Sequence, residues 1–287
     1  MKLRTRMTAA LGRISFAAAA GVGLVLPAAA APADLGSALA SHQAVYELKL
    51  IKASERSGLT GVDGRLVYEF TGSVCEGFTS QFRFVTRFVN NEGKTRITDL
   101  RTSTFEDGEG KSFNFLNQNY VDQRLVEESK GVAKLTGTGA TAEVSKPQKH
   151  TVDFAADALF PTRHMATLIA AAKSGQSFAD IKLYDGSENG DRVYQTAIVI
   201  GKEQTGPDEF GDEAGKDSVV FAGKRHWPVT ISYYDVRKKS DDGLPEYQLS
   251  FLLYENGVTR KLKLDYGDFV LSGTLSELKP LEAKSCP

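Results

Sequence analysis

The chain has 287 residues, 25% of them charged and 41% hydrophobic, and its 35 basic and 36 acidic side chains give a formal net charge of −1. With no Lys/Arg tract longer than Arg237-Lys238-Lys239, it lacks the basic patch that nucleic-acid binding requires. Two cysteines and four histidines leave little material for a metal centre.

The N-terminus addresses the chain. Lys2, Arg4, Arg6 and Arg13 form a basic region without acids, 14–26 is an apolar alanine-rich run, and 27–33 offers several small-x-small cleavage positions. This is the pattern of a secretory signal peptide. Its apolar run falls short of the roughly 20 residues that a membrane-spanning helix needs. No cysteine follows within the first 40 residues to carry a lipid anchor. Residues 1–31 are therefore predicted as a cleaved signal and 32–287 as one mature domain. Losing four basic residues takes its charge from −1 to −5.

The mature chain opens with alternation of period two. "AVYELKLI" from Ala44 and "GRLVYEFTG" from Gly64 read as strands, with Gly58, Gly61 and Gly64 around the turn between them. In "FTSQFRFVTRFV" the residues Phe78, Phe82, Phe84 and Phe88 share one parity, and Cys75 just before them lies in what reads as strand. Further alternating runs follow from Thr95, Lys111 and Gln123, punctuated by Asn-Glu-Gly and Asp-Gly-Glu-Gly turns. Short strands joined this tightly predict an antiparallel meander.

One segment changes period. Over 161–173, Met165, Leu168, Ile169 and Ala172 stand at helical spacing, with Thr162 as the expected N-cap and Gly175 as the stop. Strands then resume around "YDGSENGD", at Val219–Phe221, and in "HWPVTISYYDV", where Pro228 points to an edge or a bulge. Thr205 to Lys216, rich in Gly, Asp and Glu, reads as a mobile loop. Glu255-Asn256-Gly257 between two alternating runs is a strong hairpin signal. The fold class is all-β with one or two helices, a single large antiparallel open or spiral barrel of about 12–14 strands.

Catalytic motifs are missing. There is no H-E-x-x-H, C-x-x-C or G-x-S-x-G, and "GTGATAEVSKP" lacks the Lys-Ser/Thr pair and following helix of a phosphate-binding loop. No catalytic residue, metal site or cofactor is predicted, and no residue is assigned to ligand binding. A hydrolase built on His164 or His226 with a distant carboxylate is the enzymatic alternative, and packed histidines are the plainer reading.

The cysteines admit one intrachain pairing. A thiolate nucleophile at Cys75 would need a helix N-terminus and a histidine base, whereas its neighbours are strand-like and Glu76 beside it would raise the thiol pKa. In an oxidising compartment Cys75 and Cys286 are predicted to form a disulfide.

"TGSVCEGF", "LFPTRH" and above all "PEYQLSFLLYENGVTRKLKLDYGDFVLSGTLSELK" resemble the EipB family of alphaproteobacterial cell envelope integrity proteins. The resemblance runs from Ala44 to Cys286 and is most specific over Glu246 to Lys279; a longer acidic, Gly-rich loop around Gly206 to Lys216 departs from it. It implies a periplasmic, spiral-like barrel crossed by a helix, closed by a disulfide that maps onto Cys75 and Cys286. It also implies a non-enzymatic role in envelope integrity under stress, a likeness to lipoprotein-carrier folds, and a link to a tetratricopeptide-repeat protein. The aromatic alternation of Phe78 to Phe88 and Phe251 to Tyr266 is expected to line a concave surface for a lipid, a lipoprotein segment or a protein partner. A scaffold working through a strand edge, and pairing of edges between copies of the chain, are further expectations.

Overall fold

Short turns oblige neighbouring strands to pair antiparallel, and the computed structural model shows that arrangement along nearly the whole chain. It describes residues 39–205, 209–216, 218–237, 243–282 and 286. The predicted signal peptide lies outside the described residues. The first half comprises β1 (His42–Ala53), β2 (Leu59–Ser73), β3 (Gly77–Asn90), β4 (Thr95–Glu106), β5 (Ser112–Val121), β6 (Arg124–Leu135), β7 (Ala140–Lys146) and β8 (His150–Phe154). After β9 (Ala158–Leu159) and the helix α1 (Pro161–Lys173) come β10 (Phe178–Tyr184), β11 (Val193–Ile200), β12 (His226–Asp235), β13 (Tyr247–Tyr254), β14 (Thr259–Asp265) and β15 (Phe269–Pro280).

These fifteen strands form one sheet, ordered β8 back to β1 and then β15 back to β9. Every pairing but one joins strands consecutive in sequence. The exception is β1 with β15, a ladder running from His42 opposite Pro280 to Ala53 opposite Phe269. The sheet's two edges, β8 and β9, are only three residues apart in the chain. The sheet therefore curls into a nearly closed barrel.

Alternation decides what faces inward. Ala44, Tyr46 and Leu48 of β1 and Leu66 of β2 are buried in the core. The opposite parity carries ion pairs on the outer face: Arg65 to Glu47, Arg83 and Arg101 to Asp99, and Arg87 to Asp63. Leu168, Ile169 and Ala172 of α1 pack in the main core cluster with Ile181, Ile198 and Ile231. A second cluster closes the seam between the edges. There Phe113, Phe115, Phe160 and Tyr184 are buried together, with the Phe154 ring stacked 4.4 Å from that of Tyr184.

Polar bonds fasten the same seam. The loop after β10 reaches across to β5 and β6, where Asn117 Nδ2 and Ser129 Oγ donate to the Gly186 carbonyl at 2.9 and 2.8 Å. Gly186 has φ +71°, and a Cβ there would fall 2.3 Å from Phe115 Cγ. Only glycine suits both demands. His150 Nε2 of β8 meets Asp191 Oδ1 at 2.6 Å across the seam.

The helix occupies the predicted bounds, and its start differs from expectation. Thr162 is not the N-cap; Phe160 holds that position without a side-chain cap and Pro161 is the first helical residue. The exposed N–H groups are satisfied from another strand instead: Glu106 at the end of β4 accepts from Thr162 N at 2.7 Å and Arg163 N at 3.1 Å. Burial pushes the Glu106 carboxyl up to about 7, against the pull of those donors. At the other end Lys173 approaches Glu255 beyond β13 at 3.8 Å. The helix thus spans the interior from the β4 side to the β13 side.

Three further expectations are corrected. Cys75 is not inside a strand: β2 ends at Ser73, β3 begins at Gly77, and Cys75 is exposed in the turn between them. Tight hairpin geometry, with positive φ at Gly72 and Gly77, outweighs the local apolar pattern. From that turn Cys75 is joined by a disulfide to Cys286, with Cα atoms 5.6 Å apart. Val219–Phe221 is a turn rather than a strand, because Phe221 is drawn inward against Tyr254, ring centroids 4.6 Å apart.

The described part of the acidic loop, 209–216, is pinned to the sheet rather than loose. Glu213 pairs with the fully buried guanidinium of Arg260 at 2.8 Å and accepts from the backbone N–H groups of Lys261 and Leu275 at 3.0 and 3.2 Å. Phe210 covers the other side of Arg260, 3.5 Å from ring centroid to guanidinium. Among the described residues, "GTGATAEVSKP" is largely β7, and β8 and the two-residue β9 complete the count of fifteen.

Candidate binding cavity

The curled sheet and α1 line a cavity of about 710 Å³ that is partly open to solvent, within the roughly 300–1,000 Å³ of pockets that bury a drug-sized ligand. Strand alternation builds its wall. Even-numbered side chains of β2 to β4 point in, so Tyr68, Phe82 and Phe84 line it while Arg83 and Arg87 of β3 stay outside. The facing wall brings Leu249, Phe251 and Leu264 from β13 and β14. The first turn of α1 contributes Pro161, Thr162, His164 and Met165.

A polar strip interrupts this apolar surface. Ser80 and Thr104 share a hydroxyl contact of 2.7 Å, and Thr102, Asn117, Asn119 and Ser129 continue the strip across β4, β5 and β6. The cavity is amphipathic as a result, its hydroxyls and amides interleaved with aromatic and aliphatic side chains.

At one end Asp185 stands among tyrosines. The rings of Tyr233 and Tyr247 stack at 4.3 Å, and Tyr194 meets Tyr233 edge-on at 5.7 Å. Burial raises the Asp185 carboxyl above its ordinary range, opposed by the Ser187 N–H at 2.9 Å and by Arg192. The tyrosine hydroxyls are raised as well, first by burial, with the Asp185 charge adding to it for all three, after that of Tyr233 for Tyr247. Arg192 is itself held by Glu246, by Asp235 at 3.3 Å and by Glu188 at 3.4 Å.

Both histidines weighed for catalysis are buried and hydrogen-bonded. His164 Nε2 lies 2.9 Å from Thr196 Oγ1, whose own proton goes to the Ile181 carbonyl at 2.6 Å. The imidazole must therefore donate from Nε2, and burial pushes its pKa down to about 4. His226 is buried outside the cavity, its Nδ1 3.2 Å from the Lys224 carbonyl and its ring stacked on Tyr254. Among the described residues neither has a hydrogen bond to a serine or a carboxylate, and no group of three or more His, Cys, Asp or Glu is placed to hold a metal ion.

Of the aromatic alternation expected to line a concave surface, Phe82, Phe84, Phe251 and Tyr266 reach the cavity; Phe78 and Phe88 do not. Sequence reasoning missed Asp185, because "YDGSENGD" reads as a turn and turn signals say nothing about burial. Asn117 and Ser129 were missed for a related reason: polar residues on strands look solvent-facing until the sheet is known to close.

The chain matches the family model described as EipB-like over residues 33–282. It is 47% identical over 251 residues to the cell envelope integrity protein EipB of Brucella abortus (strain 2308), a match covering 88% of each chain. A crystal structure of a beta-barrel-like protein of the domain of unknown function DUF1849, also from Brucella abortus, superposes with a TM-score of 0.78 at 46% identity. That match covers 85% of this chain and 99% of the other. The chain belongs to the EipB-like family.

Proposed function

We propose that the protein serves the integrity of the cell envelope without catalysis, by holding an amphiphilic molecule, a lipid or an acylated segment, inside its barrel. The observation that carries this is the 710 Å³ cavity with an aromatic wall and a hydroxyl-amide strip, the two kinds of surface an amphiphile presents. Placement in the periplasm is supported by the signal-like N-terminus, by the Cys75–Cys286 disulfide and by the envelope-integrity name of the relative. The non-catalytic reading draws support from His164 and His226, whose hydrogen bonds fix them in packing roles.

The test is uptake of the uncharged apolar dye N-phenyl-1-naphthylamine by delipidated protein. Fluorescence should rise saturably, and Thr102→Trp, which fills the cavity from β4, should suppress the rise while circular dichroism stays native. Delipidated protein that takes up no dye overturns the reading.

A further inference from the structure

The inference below rests on the cavity-binding reading and names the ligand class. Among the described residues that line the cavity there is no lysine or arginine. This follows from the fold: the basic residues of β3 and β4, Arg83, Arg87 and Arg101, lie at outward positions and are paired on the outer face. Its histidines, His42 and His164, are both buried, which favours their neutral forms. The charge-bearing side chains that remain are Glu127, Asp185 and Glu188, all acidic.

One cation stands close by, its guanidinium 5.5 Å from the centre of the Tyr194 ring. Arg192 is outside the lining and faces four carboxylates, Asp185, Glu188, Asp235 and Glu246, so one positive charge is shared among more acids than it can neutralise. Its guanidinium also donates to Tyr194 Oη at 3.2 Å. The Asp185 end is thus an acidic spot walled by the electron-rich rings of Tyr194, Tyr233 and Tyr247. Carboxylate beside aromatic faces is the chemistry that attracts an ammonium group. A phosphate or carboxylate placed there would meet like charge, and Arg192 is already engaged by its own acids.

We propose that the barrel selects amphiphiles bearing an amine or quaternary ammonium head, seated against Asp185 and its tyrosines, and discriminates against anionic heads. Uncharged heads rank between the two, because Asn117, Asn119 and Ser129 offer them hydrogen bonds nearby.

The experiment compares three ligands with the same twelve-carbon chain, dodecylamine, dodecyl maltoside and dodecanoate, each below its micelle concentration. The readout is displacement of bound N-phenyl-1-naphthylamine. Dodecylamine should displace best and dodecanoate worst. Asp185→Asn should remove about 10- to 100-fold of dodecylamine affinity, the scale of a lost charge-assisted bond, and leave dodecyl maltoside unchanged. The ranking of ligands on the unaltered protein stands even where the variant folds poorly. Dodecanoate binding as tightly as dodecylamine, or an Asp185→Asn variant that weakens all three equally, refutes the selectivity while leaving the cavity reading intact. Failure to take up the dye at all refutes both.

Discussion

Glu213→Ala tests whether the acidic loop is a structural clasp. Its carboxylate serves three strands' worth of contacts: the Arg260 guanidinium of β14 at 2.8 Å, the Lys261 N–H at 3.0 Å, and the Leu275 N–H of β15 at 3.2 Å. Arg260 is 0% exposed, so water does not simply replace the lost acid. Removing one partner of a buried ion pair costs about 3–5 kcal/mol. In a domain of this size each kcal/mol is worth about 2–4 °C of Tm, so the expected fall is about 6–20 °C. Thermal unfolding by circular dichroism measures it, and urea titration should show a lower midpoint at unchanged slope. Glu213→Gln keeps an acceptor for the backbone donors and should lose less. The double variant Glu213→Leu with Arg260→Met buries no charge and should recover most of the stability, since apolar replacements of buried pairs are often neutral. A fall of less than 2 °C for Glu213→Ala would show that the clasp contributes nothing and that the loop merely rests on the sheet.

Three other outcomes follow from the seam and the tail. Gly186→Ala combines a positive φ with a Cβ 2.3 Å from Phe115 and should cost about 2–4 kcal/mol; faster amide exchange in β8 and β9 would locate the damage, and unchanged exchange there would contradict it. Cys75→Ser opens a cross-link of sequence separation 211, worth up to about 5 kcal/mol from chain entropy, so it should lower the urea midpoint; labelling of both thiols in native unreduced protein would deny the bond. His150 has its pKa raised by the Gln148 carbonyl and by Asp191. Its contribution is therefore complete below the unfolded pKa of about 6.5 and lost as pH rises through the higher folded value. His150→Gln should flatten the decline of Tm between pH 6 and 9, and identical pH profiles would remove the seam contact from the stability account.

Much of the fold was legible because it is written in period two. Alternation locates β1 and β3 within two residues at each end, while β2 begins at Leu59 rather than Gly64 and takes in Gly61 and Gly64, which read as turn; the change to helical spacing at Pro161 locates α1 at its observed bounds. What was not legible depends on contacts between distant segments. Thr162 has the chemistry of a cap and is not used as one, because it lies inside the helix that Pro161 starts, and Glu106, fifty-six residues earlier, accepts from the first-turn N–H groups instead. Phe221 looks like strand and turns inward to Tyr254. The acidic loop looks solvated, and Arg260, whose partner could not be guessed from a strand of alternating charge, pulls it onto the barrel. For the cavity, the aromatic parity predicted a concave lining, and the position of Asp185 emerged only once the seam loop was placed.

The pairing of β1 with β15 has a further consequence. It places the first and last strands side by side in the middle of the sheet, His42 opposite Pro280, while the sheet's edges come from the chain's midpoint. Cutting the backbone at 155–157 and linking the end of β15 to the start of β1 would rename the strands without moving any, and every pairing would become one between sequence neighbours. The native order does the reverse, making the last strand close a loop of more than two hundred residues onto the first. Long-range closure of this kind slows folding. Until β15 arrives, the inner edge of β1 stays unpaired and the aromatic faces of β2 and β3 lack their opposite wall, so this architecture makes completion of the whole chain the event that shuts the barrel.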